Sequence, residues 1–319
     1  MRLAAIDLGT VTSRLLIADV TDGKIHELKR HAIITHLGRG LGESGRISED
    51  AIIREISACR EFMSEIQAVE KQDGVAVQRI YGFATSAMRD AENQEQVRTA
   101  LLEVGLDIEV ITGEREAELS FNGAVSGFSQ GLFPDHALVM SVDIGGGSTE
   151  VIFGSPTGEL LGQSILTARS FNIGSRRVTD HFLINDPPTS TEITNARSFV
   201  ISEMTSFFST VGQRPHTIIA VAGTATTAVT LRDAMAVYDP WKVHGSSVTA
   251  QELTELTNRL AALSEQERSL CVGLEPARAS VIIAGFLILE VILELSQSNA
   301  FVVSETDILH GMLLAHQNG

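Results

Sequence analysis

The chain of 319 residues has little cysteine, few aromatic residues and no long apolar segment. Its two cysteines, Cys59 and Cys271, are far apart and lack metal-ligand spacing, which excludes a disulfide framework and a cysteine zinc site. The longest apolar run, residues 281–289, is too short to span a bilayer, and Asp7 interrupts the N-terminal apolar segment that a signal peptide would need. We therefore expect a cytoplasmic protein without a membrane partner.

Basic residues are also scarce, since 24 lysines and arginines face 40 acidic residues and leave a formal charge of −16. Broad nucleic-acid binding needs a basic surface that releases counterions, so we expect no nucleic-acid partner. A polyanionic substrate is still compatible with this charge. Exposed charges are screened beyond about 8 Å at physiological salt, and a local basic lining or Mg²⁺ can reverse the field within a cleft.

Several common catalytic motifs are absent. The sequence contains no His/Cys cluster, no HExxH motif, no Walker A loop and no GxSxG elbow, which removes the usual basis for a metalloprotease, a P-loop NTPase or a serine hydrolase. The remaining candidates for chemistry are carboxylates, glycines, hydroxyls and arginines. Such a set suits phosphoryl chemistry, in which a protein mainly positions groups, neutralises charge and orients a nucleophile.

Residues 143–150, with the sequence DIGGGSTE, have the composition of a phosphate-binding turn. The apolar run 137–142 predicts a buried strand and residues 151–153 predict its return, so the glycines form the turn between them. A phosphate can approach the main chain closely there because glycine has no Cβ atom. The residues expected to bind phosphate in this turn are Gly145, Gly146, Gly147 and Ser148.

A second copy of the pattern begins at Asp7, which is 143 − 7 = 136 residues earlier. Laid without gaps on the first, it places Arg14 against Glu150, and apolar strands flank both copies. The other aligned pairs are Asp7 with Asp143, Gly9 with Gly145, and Thr12-Ser13 with Ser148-Thr149. We therefore expect two related domains that each present a hairpin to a shared cleft, with Thr10 and Thr12 as phosphate contacts. The acid at Glu150 makes the second hairpin the expected metal-and-phosphate half.

Apolar periodicity and capping signals predict an α/β fold with mixed sheets flanked by helices. In the first half we expect strands at 3–8, 14–20, 23–36, 79–84 and 108–111, and helices at 48–69, at 93–104 and from Gly113 onwards. The helix at 48–69 is expected to carry its apolar stripe on Ile52, Ile53, Ile56, Cys59, Met63 and Ile66. Residues 40–45 formally fit a dinucleotide fingerprint, but they do not open a βαβ unit, and we interpret them as a mobile connection.

The second half repeats this scheme, with strands expected at 137–142, 151–153, 161–168, 217–221 and 301–303. Helices are expected at 175–182, 192–209, 250–262, 278–295 and 307–316. Gly223 and Thr224 follow a strand where a helix begins, which predicts a second place for an anion. The domain boundary is expected within 121–135, and the closing helix is expected to return to the first domain.

Taken together, these motifs resemble the family of exopolyphosphatases and guanosine pentaphosphate phosphohydrolases, the Ppx/GppA phosphatases. The matching stretches are 6–10, 38–41, 85–89, 112–117, 143–150, 222–227, 303–305 and 308–311, with Gly174, Arg177 and Thr179. They span the chain in family order. The resemblance implies two ribonuclease H-like domains of the actin-like ATPase fold, with the active site in the cleft between them. It assigns residues 1–125, joined by 305–319, to one domain and residues 126–304 to the other.

The resemblance also implies roles for individual residues. Glu116 would orient and deprotonate the attacking water, and Arg89 would bind phosphate together with the glycine turn. Asp143, Asp7 and Glu150 would hold Mg²⁺, with Mn²⁺ as an alternative ion, and Glu150 would thereby take part in catalysis. One tension is that Glu116 lies near a helix N-terminus, whose dipole lowers a carboxyl pKa, and desolvation would have to offset this effect.

The expected activity is Mg²⁺-dependent removal of terminal phosphate from inorganic polyphosphate, with pppGpp as a further substrate. Many relatives carry Asn where this chain has Val11, which motivates a second hypothesis of a guanosine polyphosphate or polyphosphate sensor with little hydrolysis. An ATP-dependent small-molecule kinase of the same fold is a third.

Arg176 and Arg177 either line an extended anion path or pair with acids such as Asp180. A homodimer is expected as the commonest closed assembly.

Overall fold

The computed structural model describes residues 1–128, 133, 137–155 and 165–316, which contain two mixed sheets flanked by helices. The first sheet consists of β1 (Arg2–Leu8), β2 (Thr12–Thr21), β3 (Lys24–Ile34), β4 (Arg79–Ala84) and β5 (Ile108–Val110). Its helices are α1 (Leu41–Ser44), α2 (Glu49–Asp73), α3 (Ser86–Asp90), α4 (Gln94–Leu102) and α5 (Gly113–Ser126).

The second sheet consists of β6 (Val139–Ile144), β7 (Thr149–Gly154), β8 (Ile165–Phe171), β9 (Thr217–Val221), β10 (Ser247–Thr249) and β11 (Ala300–Val303). The helices of this half are α6 (Ser175–Phe182), α7 (Ser190–Val211), α8 (Ala222–Arg232), α9 (Pro240–Val243), α10 (Ala250–Ala261), α11 (Glu265–Arg268), α12 (Ile282–Leu295) and α13 (Ile308–Ala315). A 3₁₀ turn (Pro276–Arg278) precedes α12. None of these helices combines the length and the apolar character that crossing a membrane requires.

The two sheets share one topology. The first has the strand order β3-β2-β1-β4-β5, with an antiparallel β1-β2-β3 meander and with β4 and β5 parallel to β1. The second has the order β10-β11-β9-β6-β7-β8, in which β6-β7-β8 repeat the meander and β9 and β11 run parallel to β6. Strand β10 adds an antiparallel edge. The predicted fold class is confirmed.

Strand β1 is covered on both faces, which explains its continuous apolar run at residues 3–6. Ala4, Ile6 and Leu8 lie in one core cluster, whereas Leu3 and Ala5 lie in another on the opposite face. A strand that is buried on both sides has no solvent-facing positions to alternate with apolar ones. After Arg2, the next polar residue of the strand is Asp7, where the strand ends and the site begins.

Helix α5 lies between the two sheets. Leu119 packs in the cluster beneath β1, whereas Ala117 and Phe121 pack with Ile152 of β7. The helix begins after Thr112, whose side chain accepts a hydrogen bond of 3.2 Å from the backbone N–H of Arg115. A helix that contacts both sheets can bring one side chain to a site between them.

The closing helix α13 packs against α5 at very short range. A Cβ atom at Gly123 would lie 1.8 Å from the carbonyl oxygen of Asp307, and one at Gly311 would lie 1.9 Å from that of Leu119, so both positions exclude any larger residue. Leu313 joins the core beneath β1. The proposed domain limits stay a prediction: the interval 121–135 begins inside α5, and residues 129–132, 134–136 and 317–319 lie outside the described part of the chain.

Some local predictions were wrong. Ile53 is 64% exposed, and the buried stripe of α2 instead includes Glu55 together with apolar neighbours. Helix α12 begins at Ile282 rather than 278, because the preceding residues form the 3₁₀ turn. Residues 41–44, expected as part of a connection, form the short helix α1, and β10 was not predicted. The strand expected at 161–168 is Ile165–Phe171, and residues 161–164 lie outside the described ranges.

Candidate active site

The two hairpin turns have the same geometry, as the ungapped alignment predicts. Strands β1 and β2 pair so that Asp7 faces Arg14, and strands β6 and β7 pair so that Asp143 faces Glu150. In each turn, the glycine two residues after the aspartate donates its N–H to the carbonyl oxygen three residues further on, at 3.2 Å and 3.0 Å. The two halves differ in the residue that faces the aspartate, which is a cation in one and an acid in the other, and in the two extra glycines of the second turn.

Both turns line one small cavity of about 80 Å³. Of the residues predicted from the sequence, it is lined by Asp7, Thr10, Thr12, Glu116, Asp143, Gly145, Gly146, Gly147, Ser148, Glu150, Gly223 and Thr224. Arg89 is the predicted site residue that does not line it. Predicted residues that are up to 217 positions apart in the chain therefore meet at one site (224 − 7).

Three consecutive peptide groups of the second turn point their carbonyls at α6. The backbone N–H of Ser175 donates to the carbonyl oxygen of Gly145 at 2.8 Å, and that of Arg176 donates to Gly146 at 2.9 Å. Arg177 Nε donates to the carbonyl oxygen of Gly147 at 3.0 Å. In a trans peptide the C=O and the next N–H point in opposite directions, so the N–H groups of residues 146–148 face away from α6. Within the described residues none of these three N–H groups donates to a protein acceptor. Such an array is suited to binding an anion.

This arrangement depends on the close approach of α6 to the turn. A Cβ atom at Gly174 would lie 2.4 Å from the carbonyl carbon and oxygen of Gly146, so a side chain there would push the peptide group out of place. The N–H of Gly145 is already used inside the turn. The N–H groups that remain for a phosphate are therefore those of Gly146, Gly147 and Ser148.

Glu116 reaches the cavity from α5 and is 7% exposed. Burial raises the pKa of its carboxyl group to about 7, and the carboxylates of Asp7 and Asp143 add to the rise. Arg89 Nη1, 2.6 Å from Oε2, opposes the rise. The helix N-terminus also favours the charged form, but burial outweighs it. A carboxylate with a pKa near neutrality is well matched to accept a proton from water at that pH.

Burial also raises the pKa of the other carboxylates of the cavity, and for Asp7 and Asp143 the Arg14 cation opposes the rise. Burial raises the pKa of Asp143 to about 6, with Asp307 and Asp7 adding to the rise. Burial likewise raises the pKa of Glu150 well above its usual range, and repulsion from Glu116 adds to this. One oxygen of Asp7, Oδ1, is buried without a partner in the described part of the chain. An all-oxygen, electron-rich donor set of this kind fits Mg²⁺.

The predicted metal ligands do not form a compact cluster on their own. In the described ranges, three ligand atoms lie within 4.8 Å of one another only for His31, Glu61 and Glu65, which lie outside this cavity. Mg²⁺ usually retains several waters and is held by one or two carboxylates together with phosphate oxygens. An ion held by Asp7, Asp143 and Glu150 would therefore need further ligands from water or substrate.

A comparison with protein families gives a match over residues 16–318 to the model of the Ppx/GppA phosphatase family. The chain belongs to the Ppx/GppA phosphatase family. The resemblance inferred from the motifs is thereby confirmed.

Individual relatives agree with this assignment. The chain is 34% identical to Exopolyphosphatase 2 of Mycobacterium tuberculosis over 98% of both chains. It is similar to the crystal structure of the Aquifex aeolicus Ppx/GppA family member, with 32% identity, a TM-score of 0.79 and coverage of 100% of this chain and 99% of that one. An exopolyphosphatase from Cytophaga hutchinsonii gives a TM-score of 0.84 at 28% identity, covering 98% and 96%. The prediction of a phosphoanhydride-hydrolysing enzyme is confirmed at the level of the family.

Sequence reasoning missed the cation that organises the first half of this Ppx/GppA phosphatase site. Arg14 donates from Nε to Asp7 Oδ2 at 3.0 Å and from Nη1 to Asp307 Oδ2 at 2.7 Å. Although burial raises the pKa of Asp307, Arg14 holds it well below its usual range. The alignment of Arg14 with Glu150 was a signal for the arginine. No local pattern pointed to Asp307, because its partner is 293 residues away.

Two further residues at the candidate site were not singled out. Ser120, one helical turn after Glu116 on α5, donates to Asp143 Oδ2 at 3.4 Å. Arg278 lies against Gly223, where a Cβ atom would be 1.9 Å from its Nη1. Helical spacing from Glu116 could have indicated Ser120. Nothing in the sequence links Arg278 to Gly223.

The predicted anion site at the start of α8 is therefore only partly open. Gly223 is covered by the Arg278 guanidinium, and the hydroxyl of Thr224 donates to the carbonyl oxygen of Ile144 at 3.3 Å. Thr224 thus joins α8 to the second hairpin. An anion reaching this end of the Ppx/GppA site would meet Arg278 before the backbone of α8.

Arg176 and Arg177 both pair with acids, as one of the two alternatives predicts. Arg176 lies 3.3 Å from Asp180, and Arg177 lies 2.5 Å from Asp90. The two arginines also line a second cavity of about 900 Å³, together with Arg39. This cavity shares Thr10, Gly146 and Gly147 with the first one, so the two spaces meet at the turns.

Proposed function

We propose that the protein is a Mg²⁺-dependent exopolyphosphatase that hydrolyses the terminal phosphate of inorganic polyphosphate. The observation that carries the proposal is the meeting of three elements in one cavity: the acid Glu116, the carboxylates of both hairpins, and the outward N–H groups of the glycine turn. Family membership and the name of the M. tuberculosis relative support the same reaction class.

In this proposal the terminal phosphoryl group lies against the N–H groups of residues 146–148, which fix its non-bridging oxygens. Glu116 accepts a proton from a water molecule as the water oxygen attacks phosphorus. The bond from phosphorus to the bridging oxygen breaks, and its electron pair leaves with the shortened chain. No covalent enzyme intermediate is required, since water is the nucleophile.

Asp7, Asp143 and Glu150 are the residues that would hold the metal ion. Their raised pKa values and the unpartnered Asp7 Oδ1 support a site built to receive a cation. When bound, Mg²⁺ would supply charge neutralisation for the phosphate oxygens, and Mn²⁺ could replace it because both prefer oxygen ligands.

The second cavity offers a route for the rest of a long anion. Arg39, Arg176 and Arg177 line it, and it meets the catalytic cavity at the two turns. A linear polyphosphate could lie along these arginines with its end at Glu116. The acids Glu43, Asp90 and Asp180 also line the cavity, so the polyphosphate would compete with Asp180 and Asp90 for Arg176 and Arg177. We propose pppGpp as a further substrate, because about 900 Å³ is within the volume range of pockets that bind drug-sized ligands.

The deciding experiment measures phosphate release from polyphosphates of graded length, from pppGpp and from ATP, each with Mg²⁺, with Mn²⁺ and with chelator. Release from polyphosphate only with a divalent cation supports the proposal. Tight calorimetric binding of pppGpp or polyphosphate with no release would instead favour a sensor, and substrate-stimulated ADP formation would favour a kinase. The homodimer is also a proposal, and light scattering of the purified protein tests it.

A further inference from the structure

The middle of α2 contains a buried carboxyl group that the reaction above does not use. Glu55 is 0% exposed and lies on the apolar stripe of α2, between Ile52 and Cys59. Its Oε1 accepts a hydrogen bond of 2.6 Å from the hydroxyl of Ser13, whereas Oε2 is buried without a partner in the described residues. A polar group at such a position costs folding free energy, so an apolar residue would be expected there.

Ser13 connects this carboxyl group to the first hairpin of the site. Thr12 and Arg14, on either side of it in β2, line the catalytic cavity. Successive side chains of a strand point to opposite faces, so Ser13 points away from the cavity and towards α2. Glu55 therefore holds the first hairpin from the face opposite the one that meets the substrate.

The residue before Glu55 holds the same turn through a second route. Arg54 Nε donates to the carbonyl oxygen of Thr35 at 2.7 Å, and the N–H of Thr35 donates to the carbonyl oxygen of Val11 at 3.0 Å. The Thr35 hydroxyl lies 3.5 Å from that of Ser13. Two neighbouring residues of α2 thus hold two positions of one turn, 11 and 13, and Thr12 lies between them.

We propose that Glu55 is a positioning residue that fixes the first phosphate-binding turn through Ser13. The proposal rests on the proposed function for its kinetic readout but not for its structural one. Burial raises the pKa of the Glu55 carboxyl group, which is consistent with a neutral acid. Glutamine can therefore replace Glu55 while it keeps an acceptor for the Ser13 hydroxyl.

The test compares Glu55→Ala, Glu55→Gln and a control, Glu290→Ala. Glu290 accepts a hydrogen bond of the same length, 2.6 Å, from Thr257 Oγ1, and it lies on α12 outside the catalytic cavity. Three quantities are measured: amide hydrogen exchange in peptides covering residues 7–14, the calorimetric Kd for pyrophosphate with Mg²⁺, and kcat and KM for polyphosphate. Thermal melting reports the loss of stability in each variant.

Glu55→Ala is expected to speed exchange in the turn and to raise both Kd and KM by about tenfold, because the Ser13 hydroxyl loses its buried acceptor. Glu55→Gln should stay within about twofold of wild type on all three measurements, since the hydrogen bond is kept. Glu290→Ala should lower the melting temperature without changing exchange in the turn or KM. Wild-type exchange in Glu55→Ala, or equal effects from Glu290→Ala, would overturn the proposal.

Ser13→Ala covers the case in which Glu55→Ala does not fold. It removes the donor of the same hydrogen bond and should also speed exchange in residues 7–14, and wild-type exchange there would contradict the proposal. If wild-type protein releases no phosphate from polyphosphate, the proposed function fails. Hydrogen exchange and pyrophosphate binding still decide the role of Glu55 in that case.

Discussion

Arg89 donates a hydrogen bond of 2.6 Å from Nη1 to Glu116 Oε2, and the same nitrogen donates to the carbonyl oxygen of Ile111 at 3.1 Å. The guanidinium is thus held by the residue after β5 and in turn holds the acid of α5. Fixing a catalytic group before substrate arrives reduces the entropy lost when the reacting geometry forms. The role expected for Arg89 from the resemblance was phosphate binding, whereas its contact in the structure is with the proposed base.

Replacing the proposed base should separate folding from catalysis. Glu116→Gln keeps the size and hydrogen-bonding capacity of the side chain but cannot accept a proton. We expect phosphate release from polyphosphate to fall by at least ~10²-fold, the lower end for a lost general base. Initial rates at saturating Mg²⁺, with a thermal melt of the same sample, provide the measurement.

Glu118→Gln is the matched control, because Glu118 is on the same helix but is partly exposed and pairs with Arg115 at 2.6 Å. It should leave turnover within about twofold of wild type, as surface ion pairs contribute little. Wild-type turnover in a folded Glu116→Gln protein would show that Glu116 is not the general base.

Removing Arg89 should move the pH dependence in a defined direction. Glu116 must be ionised to accept a proton, so activity falls as pH drops through its pKa. The Arg89 cation favours the ionised form, and Arg89→Met removes that effect while burial continues to raise the pKa. We expect the acidic limb of the kcat/KM profile to shift to higher pH by about one unit. Arg115→Met should not shift the limb, and a shift of the Arg89→Met profile to lower pH would contradict the assignment.

Replacing Asp143 with a neutral residue should lower the activity and raise the stability of the metal-free protein. Burial raises its folded-state pKa to about 6, above the usual value of 3.8, so stability from this group is present at low pH and is lost as pH rises through about 6. In metal-free protein at neutral pH, Asp143→Asn should therefore melt above wild type. Added Mg²⁺ should raise the melting temperature of wild type more than that of the variant.

The exposed Asp107→Asn serves as a control for this comparison, because its side chain is 77% exposed and its nearest cation is 3.6 Å away. It should respond to Mg²⁺ as wild type does. An Asp143→Asn protein that gains as much from Mg²⁺ as wild type would show that Asp143 is not a ligand. Scanning calorimetry with chelator and with Mg²⁺ makes both measurements.

The parts of the site that the sequence predicted are those with a local chemical pattern. The glycine turn at 145–147 was recognisable because glycine, hydroxyl and acid stand in one short segment between apolar runs, and its copy at Asp7 could be aligned by eye. The fold followed from the same alternation of apolar strands and capped helices. The start of α2 after Ser48 was recognisable for the same reason.

The parts that were missed depend on contacts between distant segments. Arg14 and Asp307 are 293 residues apart, and Arg89 and Glu116 received separate roles because nothing in the sequence shows that they touch. The buried His310, 2% exposed, likewise has its Nε2 at 2.9 Å from Glu27, which is 283 residues away. Buried polar pairs of this kind violate the apolar periodicity on which sequence patterns rest.

The two hairpins touch each other at Val11 and Gly146. This contact gives a physical role to the valine that stands where many relatives carry Asn. A Cβ atom at Gly146 would lie 2.4 Å from Val11 Cγ2, and valine cannot rotate away easily because it is stiff at χ1. Gly146→Ala should therefore push the turns apart and raise KM for polyphosphate by about tenfold or more. Val11→Ala removes this shortest contact and leaves only the longer ones to Thr10 Cβ at 3.1 Å and Cγ2 at 3.2 Å.

The double variant should recover most of the loss, so the two substitutions are expected to be non-additive by at least ~1 kcal/mol, as is typical of residues in contact. Gly147→Ala is the matched control, because a Cβ there would meet Ser86 Oγ at 2.5 Å and Thr10 Oγ1 at 2.7 Å rather than Val11. Val11→Ala should not rescue it. If Val11→Ala rescues Gly146→Ala but not Gly147→Ala, the Val11 side chain sets the spacing of the two hairpins. If the effects are additive in both double variants, the Val11 side chain does not set this spacing.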